Sequence, residues 1–164
     1  MSDYLIVVVN RGSARFFSLA PVEFPELESG PRIVTRIELD NPEINDFHEM
    51  VSDSKTGRGA TPQKGGVHGY DDKRDQHLDE LRRRFAVKVL AQVRRLAKTE
   101  RVRTVILAAS ARMRRFLYPD SKSLERQGIR VHKLSKNMIN FTPQKIHAYL
   151  AQEGLVPQKK RVSA

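Results

Sequence analysis

The sequence predicts an α/β protein, a mixed sheet covered by helices, and three observations carry that prediction. Two short apolar runs, "YLIVVV" from Tyr4 and "VILAA" from Val105, have the length and composition of strands buried on both faces. Between them Leu78, Leu81, Phe85, Val89, Val93 and Leu96 recur at spacings of three and four, the stripe of a long helix lying on a sheet. Three strand-like segments precede that helix, and strands alternate with helices after it. Antiparallel pairing early and parallel pairing late are therefore expected.

Taken in order, Tyr4–Asn10 is a central strand. The chain turns at Arg11–Gly12–Ser13 and resumes over Ala14–Leu19, the pattern of a hairpin. "APVEFPELESGP" holds three prolines and a glycine and is a loop. "RIVTRIEL" alternates Ile33, Thr35, Ile37 and Leu39 against Val34, Arg36 and Glu38, which predicts a half-exposed edge strand. From Asn41 to about Lys73 no period survives, so a long glycine-rich loop is expected over about 41–74. Asp75 is the expected N-cap of the long helix, and Arg82, Arg84, Lys88 and Arg95 are expected to form a basic ridge opposite its apolar stripe.

"RTVILAAS" is the second buried strand, and Ser110 is placed to cap the short helix "ARMRRFLY". "SKSLERQG" closes a further helical turn at Gly128, and "IRVHKL" alternates as another strand. Thr142 as N-cap and Pro143 at the first helical position open a final helix with the stripe Ile146, Tyr149 and Leu150. One domain over 1–155 is expected, followed by a polar, frayed, basic tail over 156–164.

A chain of 164 residues is long enough for one substantial core. It has no cysteine, which excludes disulfides and thiolate metal sites and fits a reducing, cytoplasmic setting. "MSDYLIVVVN" lacks a basic leader and reads as a strand rather than a signal peptide. No apolar run approaches the roughly 20 residues that span a bilayer, so no membrane insertion is expected.

Charge is the most informative total. The formal net charge is +11, and it is unevenly placed. Residues 1–72 carry seven Lys/Arg and twelve Asp/Glu, whereas residues 73–164 carry twenty-three and seven. An imbalance of this size implies a basic face, and polyanions are the usual partners of such faces.

Motifs narrow the chemistry mainly by exclusion. The chain has no Walker loop, no G-x-G-x-x-G opening a helix after the first strand and no G-x-S-x-G elbow. "TGRGATPQKGG" follows no strand and lacks the G-K-[ST] ending of a phosphate loop. His68 and His77 lie near Asp71, Asp72 and Asp75, but their setting before a helix reads as turn and cap rather than metal centre. Neither a cofactor nor a catalytic set is expected. "SARMRR" has more content: it follows a buried strand and opens a helix, where free N–H groups attract anions. Arg112, Arg114 and Arg115 would add phosphate contacts.

The ordered set "YLIVVVNRGSARFFSL", "HLDELRRRFAVKVLAQV", "VRTVILAASARMRRFL" and "VHKLSKNMINFTPQKIHAYL" resembles the bacterial host-attachment protein family, over roughly residues 4–152. That family is related to the central domain of archaeal and eukaryotic class I release factors and of Pelota. The resemblance implies a three-layer α/β/α fold with a mixed five-stranded sheet. In release factors the loop before the long helix carries GGQ, whose glutamine sits against the peptidyl-tRNA ester. Here Gly65 and Gly66 match the glycine pair, and Val67 stands at the glutamine position. The backbone donor is kept and the polar side chain is lost.

The resulting expectation is a non-enzymatic RNA- or ribosome-binding protein with a degenerate GGV loop. Its partners would be rRNA, tRNA or the ribosome. Lys64, Gly65, Gly66, Val67 and His68 would contact RNA from the loop, and Arg74, Arg82, Arg84, Lys88 and Arg95 from the long helix. Arg112, Arg114 and Arg115 would complete the surface. Two alternatives stand beside it: an indirect role in attachment to host cells, and peptidyl-tRNA hydrolase-like activity through the variant loop.

Overall fold

The computed structural model describes residues 3–45 and 67–161, with backbone alone for 67–72, so Lys64, Gly65 and Gly66 lie outside the described residues. Its five strands are β1 (Tyr4–Val9), β2 (Ser13–Ala20), β3 (Arg32–Asp40), β4 (Thr104–Ala109) and β5 (Arg130–Leu134). They form one sheet in the order β3-β2-β1-β4-β5. The pairs β1–β2 and β2–β3 are antiparallel, and β1–β4 and β4–β5 are parallel. The mixed α/β sheet is therefore as expected. The helices are α1 (Val67–Glu100), α2 (Ala111–Leu117), α3 (Lys122–Arg126) and α4 (Pro143–Gln152).

Strand periodicity sorts the apolar side chains between two cores. Leu5, Val7 and Val9, with Val105, Leu107 and Ala109, join Phe85, Val89 and Val93 of α1 and Met113 and Leu117 of α2. The alternate residues Ile6, Val8, Ile106 and Ala108 join Met138, Ile139 and the α4 residues Ile146 and Leu150. Every one of these strand residues is fully buried, which is why the runs of β1 and β4 tolerate no polar position. The hairpin between β1 and β2 is set by Asn10, whose Oδ1 accepts from the N–H groups of Gly12 at 2.9 Å and Ser13 at 2.8 Å.

The last helix opens as expected: Thr142 Oγ1 accepts from the N–H of Lys145 at 3.2 Å, and Pro143 follows it. Ser110 occupies the N-cap of α2, but its side chain makes no capping hydrogen bond. Gly128, at φ +85°, closes the turn after α3 in the left-handed region that glycine adopts without strain.

Four expectations need correction. The long helix begins at Val67, not after Asp75. Lys73, Asp75, Gln76 and His77 are exposed and give the stretch before Leu78 no apolar stripe. A helical turn also interrupts the expected loop at residues 42–45, where Ile44 is fully buried against Leu78 and Leu81. In β3 the simple alternation fails. The register shifts between Phe16 and Phe17, which pair with Ile37 and Thr35 and leave Arg36 as the extra residue of a bulge. Ile37 therefore packs with the α1 core while Ile33 packs with the α4 core. Arg36 bonds Ser18 Oγ at 2.6 Å and Glu100 at 2.8 Å at the far end of α1.

Nor is the tail frayed as far as it is described. Lys160 exchanges backbone hydrogen bonds with Gly30 at 2.9 and 3.2 Å, Val156 is buried, and the His147 ring donates from Nε2 to the Pro157 carbonyl at 2.8 Å.

Tyr118, after α2, ties two strands together. Its hydroxyl donates to the Leu134 carbonyl, with the Leu107 carbonyl 3.3 Å away. Burial pushes the phenol above its ordinary value, partly offset by a backbone hydrogen bond at Ala109 and the charge of Arg114. Tyr118→Phe is expected to cost about 1 kcal/mol in denaturant unfolding. It should also remove a component of the tyrosinate absorbance titration that lies above the ordinary tyrosine value. Among the described residues, no helix is long and apolar enough to cross a membrane.

Candidate functional site

Connections from β1 and β4 leave in opposite directions, towards β2 on one side and β5 on the other. In open α/β sheets, ligands gather at the carboxyl ends of strands at such a switch point. The Ser110 N–H donates to the Val9 carbonyl there at 3.0 Å, and α2 starts immediately afterwards. α2 packs beside α1 on the same sheet face, and the contact is organised by one carboxylate, Asp79.

Asp79 accepts from Arg82 Nη1 at 2.7 Å, three residues on along α1, and from Arg115 of α2. Burial alone would raise its carboxyl pKa. The hydrogen bonds and charges of Arg115 and Arg82 outweigh that and hold it below the ordinary value. Arg115 also lies 4.7 Å from the Phe116 ring centre, and Arg83 approaches the same ring at 5.5 Å. A shallow cleft of about 260 Å³ opens beside them, lined by Asp75, Asp79, Arg82, Arg112 and Arg115. Arg82 is only 5% exposed, and its Nε has no hydrogen-bond partner among the described residues. The buried Arg114 Nε is in the same condition.

Arg82 therefore does not stand on the outer ridge as expected. It falls four residues after Leu78 and one after Leu81, on the buried side of α1, and Asp79 is the partner that permits this. Arg84, Lys88 and Arg95 do line up along the exposed side, and Lys98 continues the line. Arg84 is shared between Glu80 at 3.3 Å and Glu43 at 3.5 Å, and Arg95 bonds Gln92 at 2.8 Å. Lys88, Lys98 and Arg112 are exposed and have no carboxylate partner among the described residues. Arg74 is half-buried and engaged in an interaction. Val67 and His68 form the first turn of α1.

The structure thus divides the expected basic set. Arg82 and Arg115 meet at Asp79 where α1 packs against α2, Arg114 is half-buried, and Arg84, Lys88, Arg95 and Arg112 face outward. Four contributors escaped the sequence reading: Asp79, Arg83, Lys98 and Phe116. The i, i+3 spacing of Asp79 and Arg82 in "DELRRR" was the available signal for the first of these. No group of His, Asp and Glu side chains among the described residues could hold a metal ion.

Across residues 73–126, which include α2, α3 and most of α1, sixteen Lys/Arg face six Asp/Glu. An excess of this kind gives the surface a positive potential. Residues 5–150 match the model of the family described as "Protein required for attachment to host cells". No curated protein matches the chain.

Proposed function

From the premise that this chain belongs to the family of proteins required for attachment to host cells, we propose that it binds RNA or the ribosome. In this reading it acts within the cytoplasm, and its part in attachment is indirect. The observation that carries it is the exposed line Lys88, Arg95 and Lys98, in which no member is neutralised by a carboxylate among the described residues. Cations that stay unpaired in the folded protein are free to release counterions from a phosphate backbone.

The fold supports the same reading. In this reading α1 to α3 and α4, which join separate cores with the sheet, make a three-layer α/β/α domain resembling the release-factor central domain. A diglycine, Gly65–Gly66, directly precedes the long helix, and Val67 opens that helix where the release factors carry glutamine. Lacking that side chain, the loop is suited to touching RNA and not to positioning a hydrolytic water.

The test is fluorescence anisotropy on a single-stranded RNA across a salt series. Wild-type affinity should fall steeply with salt. The triple variant Lys88→Gln, Arg95→Gln, Lys98→Gln should shallow the log–log slope by about 2, since each single-strand phosphate contact contributes about 0.7. An unchanged slope, or no binding and no co-sedimentation with ribosomes at low salt, would end the proposal.

A further inference from the structure

On the opposite sheet face from α1, a second cleft of about 840 Å³ lies between the start of β3, one side of α4 and the tail. We propose that this cleft binds a nucleoside phosphate. The inference is independent of the RNA reading, because it uses other residues on the other side of the sheet.

The tail wall is built, not adventitious. Lys160 is locked to Gly30 through two backbone hydrogen bonds, and His147, 4% exposed, clamps the Pro157 carbonyl. Backbone alternation around Lys160 then sends Lys159 and Arg161 to a common side, and both line the cleft. Arg32, two residues beyond Gly30, lines it from β3. These three cations have no salt-bridge partner and no carboxylate lines the cleft, among the described residues. Three unpaired cations converging on one cavity specify a multiply charged anion such as a phosphate chain.

The remainder of the lining fits the other half of the ligand. Ala148 and Ala151 put the two smallest side chains of the wall on successive turns of α4, beside Ile33. That leaves a low apolar floor on which a planar ring can lie. Gln144, Gln152 and Gln158 surround it with carboxamides, each both donor and acceptor, matching the mixed edge of a nucleobase. The volume lies within the range of small-molecule sites, about 300–1,000 Å³.

Isothermal titration calorimetry of the full chain with ATP, GTP, CTP and UTP, alongside inorganic triphosphate and adenosine, tests the proposal. At least one nucleotide should bind more tightly than both controls. Arg32→Gln, Lys159→Gln and Arg161→Gln should each weaken it about tenfold, the loss expected for a charge-assisted hydrogen bond. Ala148→Trp, at an exposed position that tolerates bulk, should weaken it at least as much by covering the floor. Arg126→Gln, an exposed cation of α3 away from the cleft, should leave it unchanged. Binding by none of the four nucleotides, binding equalled by inorganic triphosphate, or binding that survives the Arg32, Lys159 and Arg161 substitutions would overturn it.

Discussion

Asp79→Ala should destabilise the protein by about 3 kcal/mol in urea or guanidinium unfolding, the lower end of the cost of stranding one member of a buried ion pair. The magnitude follows from what is left behind. Arg82 has a side chain only 6% exposed and already carries one unpartnered nitrogen, so removing Asp79 leaves its guanidinium charged, dry and alone. The lower end applies because the Asp79 side chain is itself 28% exposed, and water can reach part of the vacated space. Arg115→Ala removes the other cation, but that side chain is 65% exposed. Its loss should cost about 1 kcal/mol or less. Combining Asp79→Ala with Arg82→Met should recover most of the stability, since an apolar chain of similar length needs no counter-charge. Equal, small costs for Asp79→Ala and Arg115→Ala would show that Arg82 is hydrated and the pair unimportant.

The same carboxylate fixes a pH dependence. Its pKa in the folded protein is depressed, so the unfolded chain takes up a proton first as pH falls. The stabilisation is complete above the unfolded value of about 3.9 and fades as pH drops through the lower folded value. Below about pH 4 the stability gap between wild type and Asp79→Ala should therefore narrow. A gap that widened in acid would reverse the sign and refute the pairing.

Phe85→Ala should cost more still, about 3–5 kcal/mol. The ring is 2% exposed and sits in the core that α1 shares with β1, β2 and β4. Truncating it removes apolar surface and leaves a void among side chains held by a continuous sheet, which cannot collapse inward. Against a typical total of about 5–15 kcal/mol, that loss should be plain in the unfolding midpoint. Val87, two residues on and 57% exposed, is the control, and Val87→Ala should change stability by no more than about 0.5 kcal/mol. Comparable losses at both positions would mean that α1 is not seated by this face.

The sequence made the sheet legible wherever burial was complete. β1 and β4 carry unbroken apolar runs because each lies between two cores, and the α1 stripe is readable from Leu78 to Leu96 because those residues are buried. Where tertiary structure overrode local pattern, the reading failed. The bulge at Arg36 depends on Ser18 and Glu100, residues far away in sequence, so β3 looked like an ordinary alternating edge. The stretch of α1 from Lys73 to His77 has no apolar period because its side chains are exposed or half-buried. The tail is ordered by Gly30 and His147, neither of which marks it in the sequence.

The outward cations were legible as charge, but a basic run does not announce which member is consumed internally. Arg82 and Arg84, two residues apart, lie on nearly opposite sides of the helix, and Arg82 falls on the buried side beside Asp79. The cleft beside α4 was invisible for a related reason. Its cations come from Arg32, Lys159 and Arg161, which a reading by segments assigns to an edge strand and a loose terminus.

The misaligned step in β3 also limits what can be added to the sheet. A newcomer strand docking there would have to follow a border whose spacing changes midway at Arg36, so neither half could be matched without breaking the other. The opposite border, β5, offers five residues and exposes Arg130 and Lys133. Growth by lateral accretion is therefore discouraged at both margins.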